Sequence, residues 1–229
     1  MKGRLIVPEN LNEISLVQYQ HFLKQSEGLE NNDLKTKMIS TFCQVDEDIV
    51  KAINRDDVED IANVLDGMFK SDYPLMPKFK IDGKEFGFIP SLEDMSFGEY
   101  VDLDNYIGDW QNMHKAMAVL FRPVVEKHKA KYTIEEYESS DKYSEVMKLM
   151  PLSCAMGAVV FFYHLGIELL KAMPHYLSSQ MQELEGISPN KANSISNGVG
   201  INQSINLLKE TLEDSTKLLK LDWRRHLHI

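Results

Sequence analysis

Apolar residues recur at three- and four-residue intervals along most of this chain, and at two-residue intervals in one short stretch. Leu16, Tyr19, Phe22 and Leu23 follow Ser15, which is placed to cap a first helix. Asp33 stands before Leu34, Met38, Phe42 and Val45 as the expected cap of a second. In VDEDIVKAINRDDVEDIANVLDGMF, Ile49, Val50 and Ile53 mark one short amphipathic turn; Val58, Ile61, Val64, Leu65 and Phe69 mark another.

The period changes to two in PKFKIDGKEFGFIP. Asp82-Gly83 suits a two-residue hairpin turn, because both central positions need positive φ. That turn sets Lys80 opposite Glu85 and Phe79 opposite Phe86, with Phe88 joining the aromatic face. Ser96 and Glu99 form a capping-box pattern that opens a helix through Tyr100, Val101 and Leu103, broken near Gly108. Asp109 is expected to cap the next helix, which turns Met113, Met117, Leu120 and Phe121 inward and ends at Pro123. The charged stretch from Glu126 to Asp141 reads as a loop, followed by a helix from about Asp141 to Met150. After Pro151 comes an apolar helix in which Ser153, Cys154, Ala155, Gly157 and Ala158 permit close approach of another helix. Residues 186–204, rich in Gly, Ser and Asn, read as a linker. Ile201, Ile205, Leu208, Leu212 and Leu219 then trace one face of a final helix.

These elements predict a mainly α protein, a helical domain with one small β-hairpin. The expected organisation is a helical region over 1–72, the hairpin plus helical core over 73–185, a linker over 186–204, and a C-terminal helix with a docking tail over 205–229.

Composition then narrows the function. The chain of 229 residues is 43% hydrophobic with a formal charge of -10, so a general nucleic-acid binder, which needs a basic surface, is not expected. The opening MKGRLIVPENLNE has too short an apolar run for a signal peptide. Residues 151–173 have the length of a membrane span, but His164, Glu168 and Lys171 interrupt them, and a helix buried in protein avoids that desolvation. Cys43 and Cys154, with no C-x-x-C near either, read as buried free thiols. Most of the 12 methionines fall on apolar helix faces, as core filling.

No catalytic constellation emerges. His164 and Glu168 share a helix face at i and i+4, as metal ligands often do, but two ligands do not make a site, and a buried or groove-facing polar pair is the expectation. Asp102, Asp104, Asn105 and Asp109 imitate a calcium loop, yet Tyr106 and Ile107 stand where an oxygen ligand and glycine belong. Gly198-Val199-Gly200 lacks the lysine of a phosphate loop, and His226 and His228 sit in the tail. No catalytic, cofactor or metal residue is assigned. In the tail, Trp223, Arg224, Arg225, Leu227 and Ile229 crowd aromatic, cationic and apolar groups as a candidate partner-binding element, the alternative being that Trp223 and Leu227 fold back onto this protein's own core.

Two segments carry a family resemblance. Ile39-Ser40-Thr41-Phe42-Cys43-Gln44-Val45 followed by DEDIVKAINRDDVEDIANVL resembles the early helices of tail assembly chaperones and related morphogenesis proteins of tailed bacteriophages. KFKIDGKEFGFIPSLEDMSFGEYVDLDNYIGDWQNMHKAMAVLFRPV is similar to segments of phage virion or tail-assembly proteins. The resemblance covers roughly residues 35–125 plus the apolar helix, and its motifs are structural. It implies a non-enzymatic assembly protein that binds other virion or tail proteins, in the host cytoplasm during assembly or in the virion, with a homo-oligomer open. The alternatives are a stable component of the neck, tail or capsid interior, and a helical metal-dependent enzyme built on His164 and Glu168.

Overall fold

The computed structural model describes residues 5–129, 131–165 and 168. The chain divides into two compact units, one reaching Val160 and the other running from Phe161 to His228. The first unit contains, in order, α1 (Leu16–Ser26), α2 (Asn31–Phe42), α3 (Glu47–Lys51), α4 (Arg55–Phe69), β1 (Lys78–Ile81), β2 (Lys84–Phe88), α5 (Phe97–Tyr106), α6 (Met113–Leu120), β3 (Phe121–His128), β4 (Lys131–Ile134), α7 (Asp141–Met147) and α8 (152–160 within this unit). Of the second unit, the described residues 161–165 and 168 are helical, with the Phe161 and Phe162 rings edge to face at 5.4 Å.

The mainly α expectation with a single hairpin is therefore corrected. Among the described residues there are eight helices and a four-stranded antiparallel sheet ordered β1-β2-β3-β4, with 52% helix and 14% strand, an α+β mixture. The first hairpin forms in the expected register, with Phe79 opposite Phe86 and Lys80 opposite Glu85, and with φ of +48° at Asp82 and +79° at Gly83. The stretch expected to be a loop supplies the second. Strand β3 pairs first with β2, through Phe121 to Pro123, then with β4, through Val124 to His128. Pro123 does not end a helix. It sits where the strand changes partners, and there a missing N–H is tolerated. Two contacts fasten the second hairpin. The Tyr132 hydroxyl donates to Phe88 O at 2.8 Å, and a Cβ on Gly87 would lie 2.5 Å from the Tyr132 ring, so only glycine admits that ring.

Local capping explains the helix starts. Ser15 and Gln18 form a reciprocal capping box at α1, and Ser96 and Glu99 form one at α5. The expected cap at Asp33 is displaced, because α2 begins at Asn31 and Asp33 lies in its first turn, where a carboxylate still favours the helix dipole. Asp109 Oδ1 accepts from Gln111 N at 2.8 Å and caps the turn that leads into α6.

The core has two aromatic clusters. Phe22, Phe42, Phe69 and Tyr19 join α1, α2 and α4, with ring centroids 5.0 to 5.7 Å apart. Phe79, Phe86, Phe88 and Phe121 line one face of the sheet. Every residue of α6 except Lys115 is buried, as a helix apolar all round requires. At Gly157 on α8 the close neighbour is the connecting chain at Pro74 and Leu75. A Cβ on Gly157 would meet Pro74 O at 2.4 Å. Among the described residues seven methionines, including Met38, Met117 and Met147, are buried. Ile49 and Val64, expected inward, are about half exposed.

Candidate functional site

Helix α5 is built against its own sequence pattern. Its buried residues are Glu99 and Leu103, while Phe97 is 82% exposed, Tyr100 57% and Val101 38%. Tyr100 and Val101, read from sequence only as part of the helix, face outward. Positions 97, 100 and 101 are i, i+3 and i+4, so the three side chains form one stripe on the solvent side.

The inward face is held by polar contacts. Glu99 serves two partners at once. Its Oε2 accepts from Ser96 N at 2.6 Å in the capping box, and its Oε1 lies 2.6 Å from Arg122 Nη1 on β3. Both charged side chains are more than nine-tenths buried. The Arg122 guanidinium also lies 5.5 Å from the centre of the Tyr137 ring, and the Tyr137 hydroxyl donates to Asp102 one turn along α5. The pair is not a full fork. Among the described residues Arg122 Nε has no hydrogen-bond partner, and Nη1 is close to Glu99 without hydrogen-bond angles, so charge and ring contact hold it.

The titration behaviour agrees with this geometry. Burial alone would raise the Glu99 carboxyl, but hydrogen bonds from Ser96 and the Arg122 charge outweigh it and leave it below its ordinary 4.5. Burial, then the hydrogen bond to Asp102, pushes the Tyr137 phenol up. The cluster is a buried ion pair beside the Tyr137 phenol.

The other candidates fall in less suggestive places. His164 and Glu168 are both exposed, so the pair is not buried. Among the described residues no group of three or more His, Cys, Asp or Glu could hold a metal ion. In the imitation calcium loop, Asp102 faces Tyr137, Asp104 is exposed and Asp109 caps a turn. Cys43 and Cys154 are free and buried, and burial pushes each thiol up to about 11. A cavity of about 190 Å³ is lined by Lys35, Lys51, Arg55 and Glu59, but Glu59 already pairs with Lys35 at 2.6 Å. Among the described residues no helix is long and apolar enough to cross a membrane. The tail residues Trp223, Arg224, Arg225, Leu227 and Ile229, the Gly198-Val199-Gly200 stretch, and His226 and His228 lie outside the described residues.

Sequence reasoning missed Phe97 and the Glu99–Arg122 pair. The available signal was the box itself. The box marks Glu99 as anchored to Ser96, but its burial comes from Arg122, more than twenty residues away in sequence. Against known proteins, the chain matches no family model, no curated protein and no solved structure.

Proposed function

We propose that this chain is a non-enzymatic assembly protein of tailed bacteriophages, which binds other virion proteins through the outward stripe of α5. One observation carries the mode of action, the stripe of Phe97, Tyr100 and Val101 exposed on a helix whose polar side is turned inward. Exposed apolar side chains gathered on one rigid element suit contact with another protein, and aromatic residues anchor such contacts. The resemblance of residues 35–125 to tail-assembly proteins supplies the setting. The mechanism is holding, in which α5 covers an apolar surface of a partner while the sheet and α6 keep the helix in place.

The test compares tagged wild-type protein with Phe97→Ser/Tyr100→Ser as baits in infected-cell lysate, with recovered proteins identified by mass. Wild type should recover named components of the particle, and the double variant should lose them. Equal recovery by both would overturn the docking role of α5, and recovery of host proteins alone would overturn the phage setting. Mass spectrometry of purified particles then separates a chaperone that leaves from a component that stays.

A further inference from the structure

The stripe on α5 lies in a one-sided electrostatic setting. Residues 85–114 hold seven Asp or Glu and neither Lys nor Arg, and Lys115, whose Nζ lies 5.2 Å from the Tyr106 ring at the end of α5, is paired with Asp141 at 3.4 Å. Glu99 is neutralised by Arg122 and Glu85 by Lys127, but Glu93, Asp94 and Asp104 are exposed and enter no ion pair among the described residues. Asp104 is i+4 from Tyr100 and i+3 from Val101, so it continues the stripe by one turn. The carbonyl end of α5 adds partial negative charge at that same end.

This charge selects among occupants. Two α5 helices packed face to face would bring their acidic rims together, and like charges across an interface oppose it. A fitting partner carries Lys or Arg among its apolar side chains. Residues 215–229, STKLLKLDWRRHLHI, have that chemistry, with Lys217, Lys220, Arg224 and Arg225 against Asp222 alone, interleaved with leucines and Trp223. We propose that α5 receives the C-terminal segment, residues 215–229, of a second copy of this chain. The contact joins two different surfaces, so it is heterologous and propagates from copy to copy, closing into a ring or extending as a chain. The inference rests on α5 being a docking face, as proposed above, and names the partner of that face.

The experiment uses two full-length variants and sedimentation velocity. Arg224→Glu/Arg225→Glu keeps the stripe and spoils the segment; Phe97→Ser/Tyr100→Ser does the reverse. Wild type should self-associate at about 50 mM salt and less at about 500 mM, where charges are screened. Each variant alone should be monomeric, while their mixture should form a one-to-one dimer and go no further. A labelled synthetic peptide of residues 215–229 should bind the Arg224→Glu/Arg225→Glu chain roughly tenfold or more tighter than the Phe97→Ser/Tyr100→Ser chain. Thermal melts matching wild type confirm that both variants fold. A wild type that is monomeric at both salts, a variant that associates alone, or a mixture that stays monomeric would overturn the proposal. A monomeric full chain whose version truncated after residue 214 binds the peptide would also overturn it, by seating the segment within its own copy. A wild type that stays monomeric yet captures particle proteins sinks this inference alone, and a wild type that self-associates without such capture sinks only the phage-assembly reading.

Discussion

Helices α5 and α6 are neighbours in sequence and opposites in construction. All of α6 except Lys115 is buried and its buried side chains are nearly all apolar, whereas α5 buries one carboxylate and one leucine and presents aromatic side chains to solvent. The difference separates two jobs. Apolar burial without direction, as around α6, stabilises a fold and tolerates many arrangements. A buried ion pair is a poor source of stability after desolvation, and the best-attested use of such a pair is to fix geometry. Glu99 and Arg122 hold α5 at one rotation about its axis, the rotation that turns Phe97 outward.

The largest effect that can break this comparison is expected in the apolar region. Phe121 is fully buried between Phe79 and Phe88, and Phe121→Ala should cost about 3–5 kcal/mol in chemical denaturation. A cost below about 1 kcal/mol would mean that the sheet cluster is not the core.

On the polar side, Arg122→Met should cost about 3 kcal/mol, because it strands the Glu99 carboxylate in a buried site. Glu99→Gln/Arg122→Met should recover most of that loss. The amide keeps the capping box with Ser96 and carries no charge to strand. If the double variant is no more stable than the single, the pair contributes stability outright and the division of labour fails.

Legibility from sequence follows the same division. The first hairpin was readable because Asp82-Gly83 demands one turn geometry and the turn dictates the register. The capping box at Ser96 and the cap at Ser15 were readable for the same local reason, although the return contact from Gln18 was not read. The second hairpin was hidden. Glu126, Lys127, His128 and Lys131 are solvent-facing strand residues whose charges mask the alternation, and Pro123 mimics a helix stop. The stripe on α5 was visible as a period but not as a direction. Spacing shows that a helix has two faces, and only tertiary partners, here Arg122 and Tyr137, decide which one meets water.

Gly83 sharpens the comparison at a purely local site. Gly83→Val should cost about 1–3 kcal/mol, since a β-branched residue resists a φ of +79° even though open space surrounds the position. An unchanged melting temperature would count against the turn.

A smaller effect is expected at His114, buried on α6 against Gln20 of α1. Gln20 Nε2 lies 2.8 Å from Trp110 O and 3.1 Å from His114 Nδ1, which seats the ring in a polar pocket of the core. Burial holds this imidazole below its ordinary 6.5. Between its folded and unfolded values the unfolded chain binds more protons, so the contribution is complete above about 6.5 and declines as pH falls below it. The His114 contribution to the slope cannot exceed about 1.4 kcal/mol per pH unit. His114→Gln should flatten denaturation free energies measured between about pH 7 and pH 5. An unaltered slope would show that His114 titrates normally.

The smallest expected effect bears most directly on function. Phe97 and Phe121 are the same residue type at the two ends of the comparison, one 82% exposed and the other fully buried. An exposed side chain loses little when truncated, so Phe97→Ala should change stability by no more than about 0.5 kcal/mol in either direction. Slight stabilisation is reasonable, because alanine is the better helix former and Phe97 is the first residue of α5. If Phe97→Ala instead costs 2 kcal/mol or more (~2, typical of a partly buried aromatic), its ring is covered in solution. Dilution would then separate two causes. A loss that vanishes at low protein concentration points to cover by another copy, since association stabilises by mass action. A loss independent of concentration points to cover within one chain, and would remove the surface on which both functional proposals stand.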